Sequence, residues 1–123
     1  MRPDVMERKL ALYTSILKSF DCMGTFLVTA ALVHKYTNIL EKLINSGMEI
    51  GIHGYTHIDF TELSGEEQLG EMRKAREAFF NSHLPFSGFR SPYLRWNSDY
   101  NTPQKLDSSL RWIFWPICDR NIA

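Results

Sequence analysis

The chain carries no surplus of charge. Lys plus Arg and Asp plus Glu each number 14 in 123 residues, so no basic stripe offers itself to nucleic acid or to an anionic membrane, and neither partner is expected. Long apolar runs are missing too. The stretch TFLVTAALV (25 to 33) is about half of what a membrane-crossing helix needs, and the N-terminal MRPDVMERKL has no apolar centre of the signal-peptide kind. Read as it stands the chain is soluble and cytoplasmic, although an N-terminus further upstream could carry a secretion signal. Cysteine is scarce: Cys22 and Cys118 are far apart and in no CxxC spacing, so neither a disulfide framework nor a zinc knuckle is inferred and two buried thiols are the simpler reading. The chain is also short. A complete α/β barrel takes about 200 residues or more, so residues 1–123 are expected to form one domain, and an incomplete one if it is of barrel type.

What is present is an alternation of helical and strand patterns, with no internal repeat. Asp4 followed by Glu7 is spaced as a capping box, and Met6, Leu10, Tyr13, Leu17 and Phe20 then recur at helical spacing. CMGTFLVT (22 to 29) is short, apolar and β-branched, as a strand buried on both faces of a parallel sheet is. Val33, Tyr36, Leu40, Leu43 and Ile44 line one face of a second helix, with Gly47 as its left-handed stop. A strand over 48 to 53 follows. Ser64 with Glu67 is a second capping box, opening a helix to about Phe80 whose Glu71, Arg73, Lys74 and Glu77 predict a wet outer face. PFSGFRSPY (85 to 93) reads as a strand stopped by Pro92, and LRWIFWPI (110 to 117) as another. Strands alternating with helices predict a parallel sheet of α/β class.

In such a sheet the active groups gather at the carboxyl ends of the strands. MEIGIHGYTH (48 to 57) ends a strand in two histidines, His53 and His57, and Arg90 falls at another strand end. These histidines do not sit at i and i+4 of a helix as in HExxH proteases, and the glutamate of that motif is missing. Imidazole is the commonest protein metal ligand, so the pair can supply two of the three protein ligands of an open zinc site; it can equally be a hydrogen-bonding pair within a loop. Spacing and position leave the two readings about even.

GMEIGIHGYTH resembles the second motif of the NodB-homology polysaccharide deacetylases (carbohydrate esterase family 4), H-[S/T]-x-x-H, with Gly54 where Ser or Thr is usual. GFRSPY resembles the third, R-x-P-Y, carried by Arg90, Pro92 and Tyr93, and GTFLVT resembles the strand written ATFFVT in relatives. The similarity covers most of residues 5 to 97, with a motif-bearing core at about 22 to 97. It implies a partial, distorted (β/α) barrel and metal-assisted removal of an acyl group from a non-peptide amide, most often an N-acetyl on a sugar. By the same resemblance His53 and His57 would hold a divalent metal, Zn²⁺ first among them. Arg90 would orient an aspartate base, and the Tyr93 main-chain N–H would face the oxyanion while Pro92 fixes its turn. Tyr93 and Trp96 are the candidates for contact with a carbohydrate or small amide substrate.

The first motif of the family, T-F-D-D, is absent, as are the late motifs with the general-acid histidine. Phe20 and Asp21 mimic its letters, but Asp21 reads as a connector residue and Asp4 as a helix cap; His34 reads as a helix residue and His83 as a turn residue. The chain alone is therefore expected to turn over little, as if it were the middle of a deacetylase domain cut at both ends. An open sheet would expose its edges and apolar residues such as Phe26, Trp112, Phe114 and Trp115, so a homo-oligomer or poor solubility is expected. Two other readings stay open: a non-catalytic carbohydrate-binding or regulatory relative, and a small α/β interaction protein with incidental histidines.

Overall fold

A computed structural model describes residues 2–95, 97 and 111–112. Its backbone alternates as the sequence predicts: α1 (Pro3–Ser19), β1 (Thr25–Val28), α2 (Thr37–Asn45), β2 (Glu49–Ile52), α3 (Gly65–Asn81), β3 (Gly88–Phe89) and β4 (Arg111–Trp112). Three short 3-10 turns, Ala30–Leu32, Phe60–Glu62 and Pro92–Leu94, each follow a strand exit or approach a helix entry. The four strands form one sheet in the order β1-β2-β3-β4, every pair parallel.

The strand lengths fall short of the sequence reading at both margins. Residues 22 to 24 and 29 lie outside β1, and of 85 to 93 only Gly88 and Phe89 pair, because Pro85 and Pro92 lack the N–H that a ladder needs. All four β1 residues are half-buried rather than buried on both faces, since β1 has a partner on one side only among the described residues. Central β2 is the strand that meets the double-sided expectation: Ile50 and Ile52 on one face are 2% and 0% exposed, and Gly51 on the other is buried. Around them Phe60, Met72, Phe79 and Phe89, each with no exposure, complete the core.

Helix entry follows two different chemistries. Helix α3 opens on the expected capping box, with the Glu67 N–H on Ser64 Oγ (3.2 Å) and the Ser64 N–H on Glu67 Oε2 (2.8 Å). Helix α1 does not. Arg2 is its N-cap without a side-chain bond, Pro3 opens the first turn where no N–H is wanted, and Asp4 instead pairs with Arg2 and Arg8. Its inner face is Leu10, Thr14 and Leu17, which leaves Leu12, Tyr13, Ile16 and Phe20 largely exposed. Tyr13 nevertheless leans edge-on over Phe26 at 5.8 Å, so Phe26 is half-buried and not bare.

Helix α2 starts four residues later than the apolar pattern suggests, at Thr37; Val33 is buried in the preceding turn, and His34 is an exposed turn residue there, not a helical one. Gly47 has φ +84 and ends α2 in the left-handed conformation expected of it. Asp21 (φ 53) and His83 (φ 54) lie in the turns after α1 and α3, in keeping with connector roles. Cys22 is half-exposed, which corrects the expectation of a buried thiol there, and Cys118 lies outside the described residues. The side chains of Trp112, Phe114 and Trp115 lie outside the described residues, and no helix among the described residues is long and apolar enough to cross a membrane.

Candidate functional site

The β-ladder itself delivers the first two site residues. The His53 N–H donates to the carbonyl of Val28 at the end of β1, and the Arg90 N–H to that of Ile52 at the end of β2, both at 3.0 Å. His53 and Arg90 thus stand side by side at the carboxyl edge of the sheet, as predicted. The His53 imidazole is half-buried, and its Nδ1 lies 2.8 Å from the Arg90 carbonyl oxygen. A carbonyl only accepts, so Nδ1 carries the proton and Nε2 keeps its lone pair. Burial holds the His53 pKa below the usual 6.5; the bond to the Arg90 carbonyl opposes this, and the charges of His57 and Arg90 add to the lowering. A neutral imidazole with a fixed tautomer is the form a metal requires.

The sign of the pH effect follows. Below 6.5 the unfolded chain takes up a proton that the folded chain resists, so stability is highest above that pH and falls as pH drops towards the lower folded-state value. Urea midpoints measured between pH 7.5 and 5.5 are expected to fall, and His53→Gln to flatten the slope; an equal slope in the variant would contradict this assignment.

Four residues on, the chain turns back. Gly54 has φ +75 and His57 φ 57, two left-handed residues that reverse the loop. The His57 ring stands edgewise against His53 with 4.9 Å between centroids, and Tyr93 meets His57 from the other side, also at 4.9 Å. Tyr93 itself has φ 60 at the Pro92–Leu94 turn and is 64% exposed, so it is no packed core aromatic. Pro92 is buried beneath it, and a Cβ built on Gly54 would lie 3.5 Å from the Pro92 ring. His53, His57, Arg90, Pro92 and Tyr93 are therefore brought to one place. Trp96 lies outside the described residues.

The glycine at position 54 is explained by backbone and not by space. Its Cβ neighbours would be at ordinary distances, but φ +75 disfavours any L side chain. Gly54→Ser, which restores the hydroxyl usual in relatives, is accordingly expected to lose about 1 kcal/mol in urea unfolding; a more stable variant would show that the hydroxyl outweighs the strain.

Several residues that frame the site carry no motif. Asp59 caps the Phe60–Glu62 turn, accepting from the Thr61 hydroxyl (2.7 Å) and N–H (3.0 Å), and its side chain, 11% exposed, pairs with Arg95 at 2.7 Å. The Thr61 hydroxyl, then the Thr61 N–H and the Arg95 charge, hold the Asp59 carboxyl below its ordinary pKa against an opposing burial effect. The wholly buried Gln68 donates to the carbonyls of Phe60 (3.0 Å) and Leu63 (3.2 Å) and to Asn97 Oδ1 (2.9 Å). Arg95 and Asn97 thus tie the segment after Tyr93 to the loop after His57. Glu71, expected on a wet face, is half-buried and reaches that loop as well. Gln68, Glu71, Met72 and Ala75 lie on one helical stripe, and a carboxylate and an amide inside an apolar stripe are the signal that sequence patterning offers for them.

No group of three or more His, Cys, Asp or Glu residues able to hold a metal occurs among the described residues. The donor set is two imidazoles, one of them of fixed tautomer, which suits a divalent cation but does not complete a three-ligand shell.

These features define an α/β protein whose polar residues converge at the strand ends of a parallel sheet. Residues 4–107 match the family model for polysaccharide deacetylase, and the chain belongs to that family. It is 27% identical over 96 residues to the peptidoglycan-N-acetylmuramic acid deacetylase PdaC of Bacillus subtilis, covering 76% of this chain and 20% of that one. Among solved structures, the wild-type family 4 carbohydrate esterase pseudoenzyme of Bacillus anthracis superposes with a TM-score of 0.75 at 21% identity, over 89% of this chain and 39% of that one. The corresponding domain of a multidomain xylanase from the hindgut metagenome of Trinervitermes trinervoides gives 0.63 at 27% identity, over 80% and 47%. The chain therefore has the partial NodB-type fold, and it spans well under two thirds of the relatives it matches.

Proposed function

We propose that the chain carries one side of a carbohydrate deacetylase site, acting on an N-acetyl sugar or a related small non-peptide amide. The observation that carries this reading is the 4.9 Å approach of the His53 and His57 rings at the sheet's carboxyl edge, with His53 Nδ1 tied to the Arg90 carbonyl. His53 Nε2 and a His57 ring nitrogen would hold a divalent cation, Zn²⁺ first. What that cation supplies when bound is Lewis acidity, lowering the pKa of water towards ~7 and polarising the acyl oxygen. His53 Nδ1 keeps its proton and donates it to the Arg90 carbonyl, and so presents the Nε2 lone pair in one orientation. The Tyr93 main-chain N–H is assigned to the developing oxyanion, aimed by the turn that Pro92 begins. The exposed Tyr93 ring offers a face on which a sugar can stack, a role Trp96 would share, and Arg90 is assigned to orienting a carboxylate base.

A second reading, a relative that binds carbohydrate without turning it over, is favoured by the absence of a third ligand among the described residues. Titrating Zn²⁺ into the chain and measuring acetate release from an N-acetylglucosamine oligomer separates the two. Binding with release supports the deacetylase and binding without release the non-catalytic relative, while no zinc binding overturns the metal site in both. The bare α1 stripe of Leu12, Ile16 and Phe20, with β1 lacking an outer partner among the described residues, supports self-association; a clean monomer in light scattering at high concentration would refute it.

A further inference from the structure

The loop from β2 to His57 is gripped from two sides by groups that belong to no motif. On one side the Ala30 and Ala31 N–H groups donate to the carbonyls of Gly54 (3.0 Å) and Tyr55 (2.9 Å). On the other, a single carboxylate oxygen, Glu71 Oε2, accepts from the N–H of Tyr55 (3.3 Å), the N–H of Thr56 (3.4 Å) and the hydroxyl of Thr56 (3.5 Å). Lys74, one turn further along α3, lies over the Tyr55 ring at 5.9 Å, so the same helix face touches the loop twice. The very next residue is His57, at φ 57. A non-glycine residue holds that conformation only where its surroundings impose it, and Gly54 has no side chain with which to brace the loop from within.

We propose that Glu71 is a positioning residue: by accepting from two consecutive amides it fixes the peptide units ahead of His57 and so sets the His57 ring against that of His53. Three donors converging on one oxygen favour a charged acceptor, which a carboxylate is and an amide is not. The side chain must also span from α3 to the loop, for which aspartate is one carbon short. Glu71 touches neither metal nor substrate in this scheme and acts through His57. The consequence for zinc rests on the reading that the two imidazoles share a cation; the consequence for loop geometry does not.

The test compares Glu71→Ala, Glu71→Gln and, as control, Glu77→Ala on the exposed part of α3, all in the full chain. In the metal-free protein, Glu71→Ala is expected to speed amide exchange at Tyr55 and Thr56 about tenfold or more and to remove the nuclear Overhauser contact between the His53 and His57 rings. It should also raise the zinc Kd about 10- to 100-fold, the range typical of lost outer-shell partners. Glu71→Gln, which keeps a neutral acceptor, should fall between it and the wild type, and Glu77→Ala should change nothing. Wild-type exchange rates and an intact ring contact in Glu71→Ala would overturn the proposal, as would a loosened loop with zinc affinity retained. If Glu71→Ala does not fold, Glu71→Gln decides: unaltered exchange and ring contact refute the assignment. A wild-type chain that binds no zinc overturns the metal reading alone, because amide exchange and the ring contact still decide the role of Glu71.

Discussion

Replacing His57 by glycine is expected to abolish zinc binding while leaving the fold at least as stable as before. The residue sits at φ 57, where an L side chain costs roughly 1–2 kcal/mol and glycine nothing. Its ring is exposed and held by contacts with His53 and Tyr93 rather than by a core. The lost imidazole is one of the two donors proposed for the cation among the described residues, so affinity should fall by ~100-fold or more, beyond what an outer-shell loss produces. His53→Ala should lose zinc to the same extent and also lose about 1 kcal/mol of stability, because the bond that ties the exit of β2 to the Arg90 carbonyl goes with the ring. Calorimetric titration beside urea unfolding distinguishes the pair. Two variants that bind zinc as the wild type does would show that these histidines serve only the loop.

The largest loss of stability is expected from Phe60→Ala. Phe60 has no exposure, its ring lies 5.4 Å from that of Phe89, and Cε1 would stand 3.7 Å from a Cβ at Gly54. It is the floor of the histidine loop as well as a core residue. Its carbonyl, moreover, accepts from both Gln68 (3.0 Å) and Asn97 (3.3 Å). Removing such a ring costs about 3–5 kcal/mol, a large share of the roughly 5–15 kcal/mol that a domain has in hand. Phe80→Ala, at a position 75% exposed, is the contrast, expected within about 0.5 kcal/mol of wild type. Similar urea midpoints for the two variants would show that the loop and not the core limits stability.

The parts of the molecule legible in the sequence are those fixed by short-range rules. Ser64 and Glu67 form the box their spacing announces, Gly47 takes the left-handed stop, and the run Glu49–Ile52 forms the central strand because its apolar residues have sheet on both sides. The histidines and the arginine reach the sheet's carboxyl edge because a parallel ladder aligns successive strand exits. What the pattern misjudged depends on neighbours distant in sequence. Tyr13 and Phe20 keep the helical spacing of an inner face, yet the described fold offers them little to pack against. Asp4 has the letters of a cap, but Pro3 starts the helix ahead of it. Glu71 looked solvated beside Arg73 and Lys74, while its actual partners lie 15 and 16 residues away in the chain. No local rule gives the direction in which a half-buried carboxylate turns.

The two carbonyls that anchor the histidine loop to Ala30 and Ala31 are main-chain atoms, indifferent to which side chains stand at positions 55 and 56. Diversification at the exposed position 56, where the main-chain N–H still reaches Glu71, should leave the loop's path intact, so selection or a focused library could retune the entrance for different ligands without redesigning the scaffold beneath it.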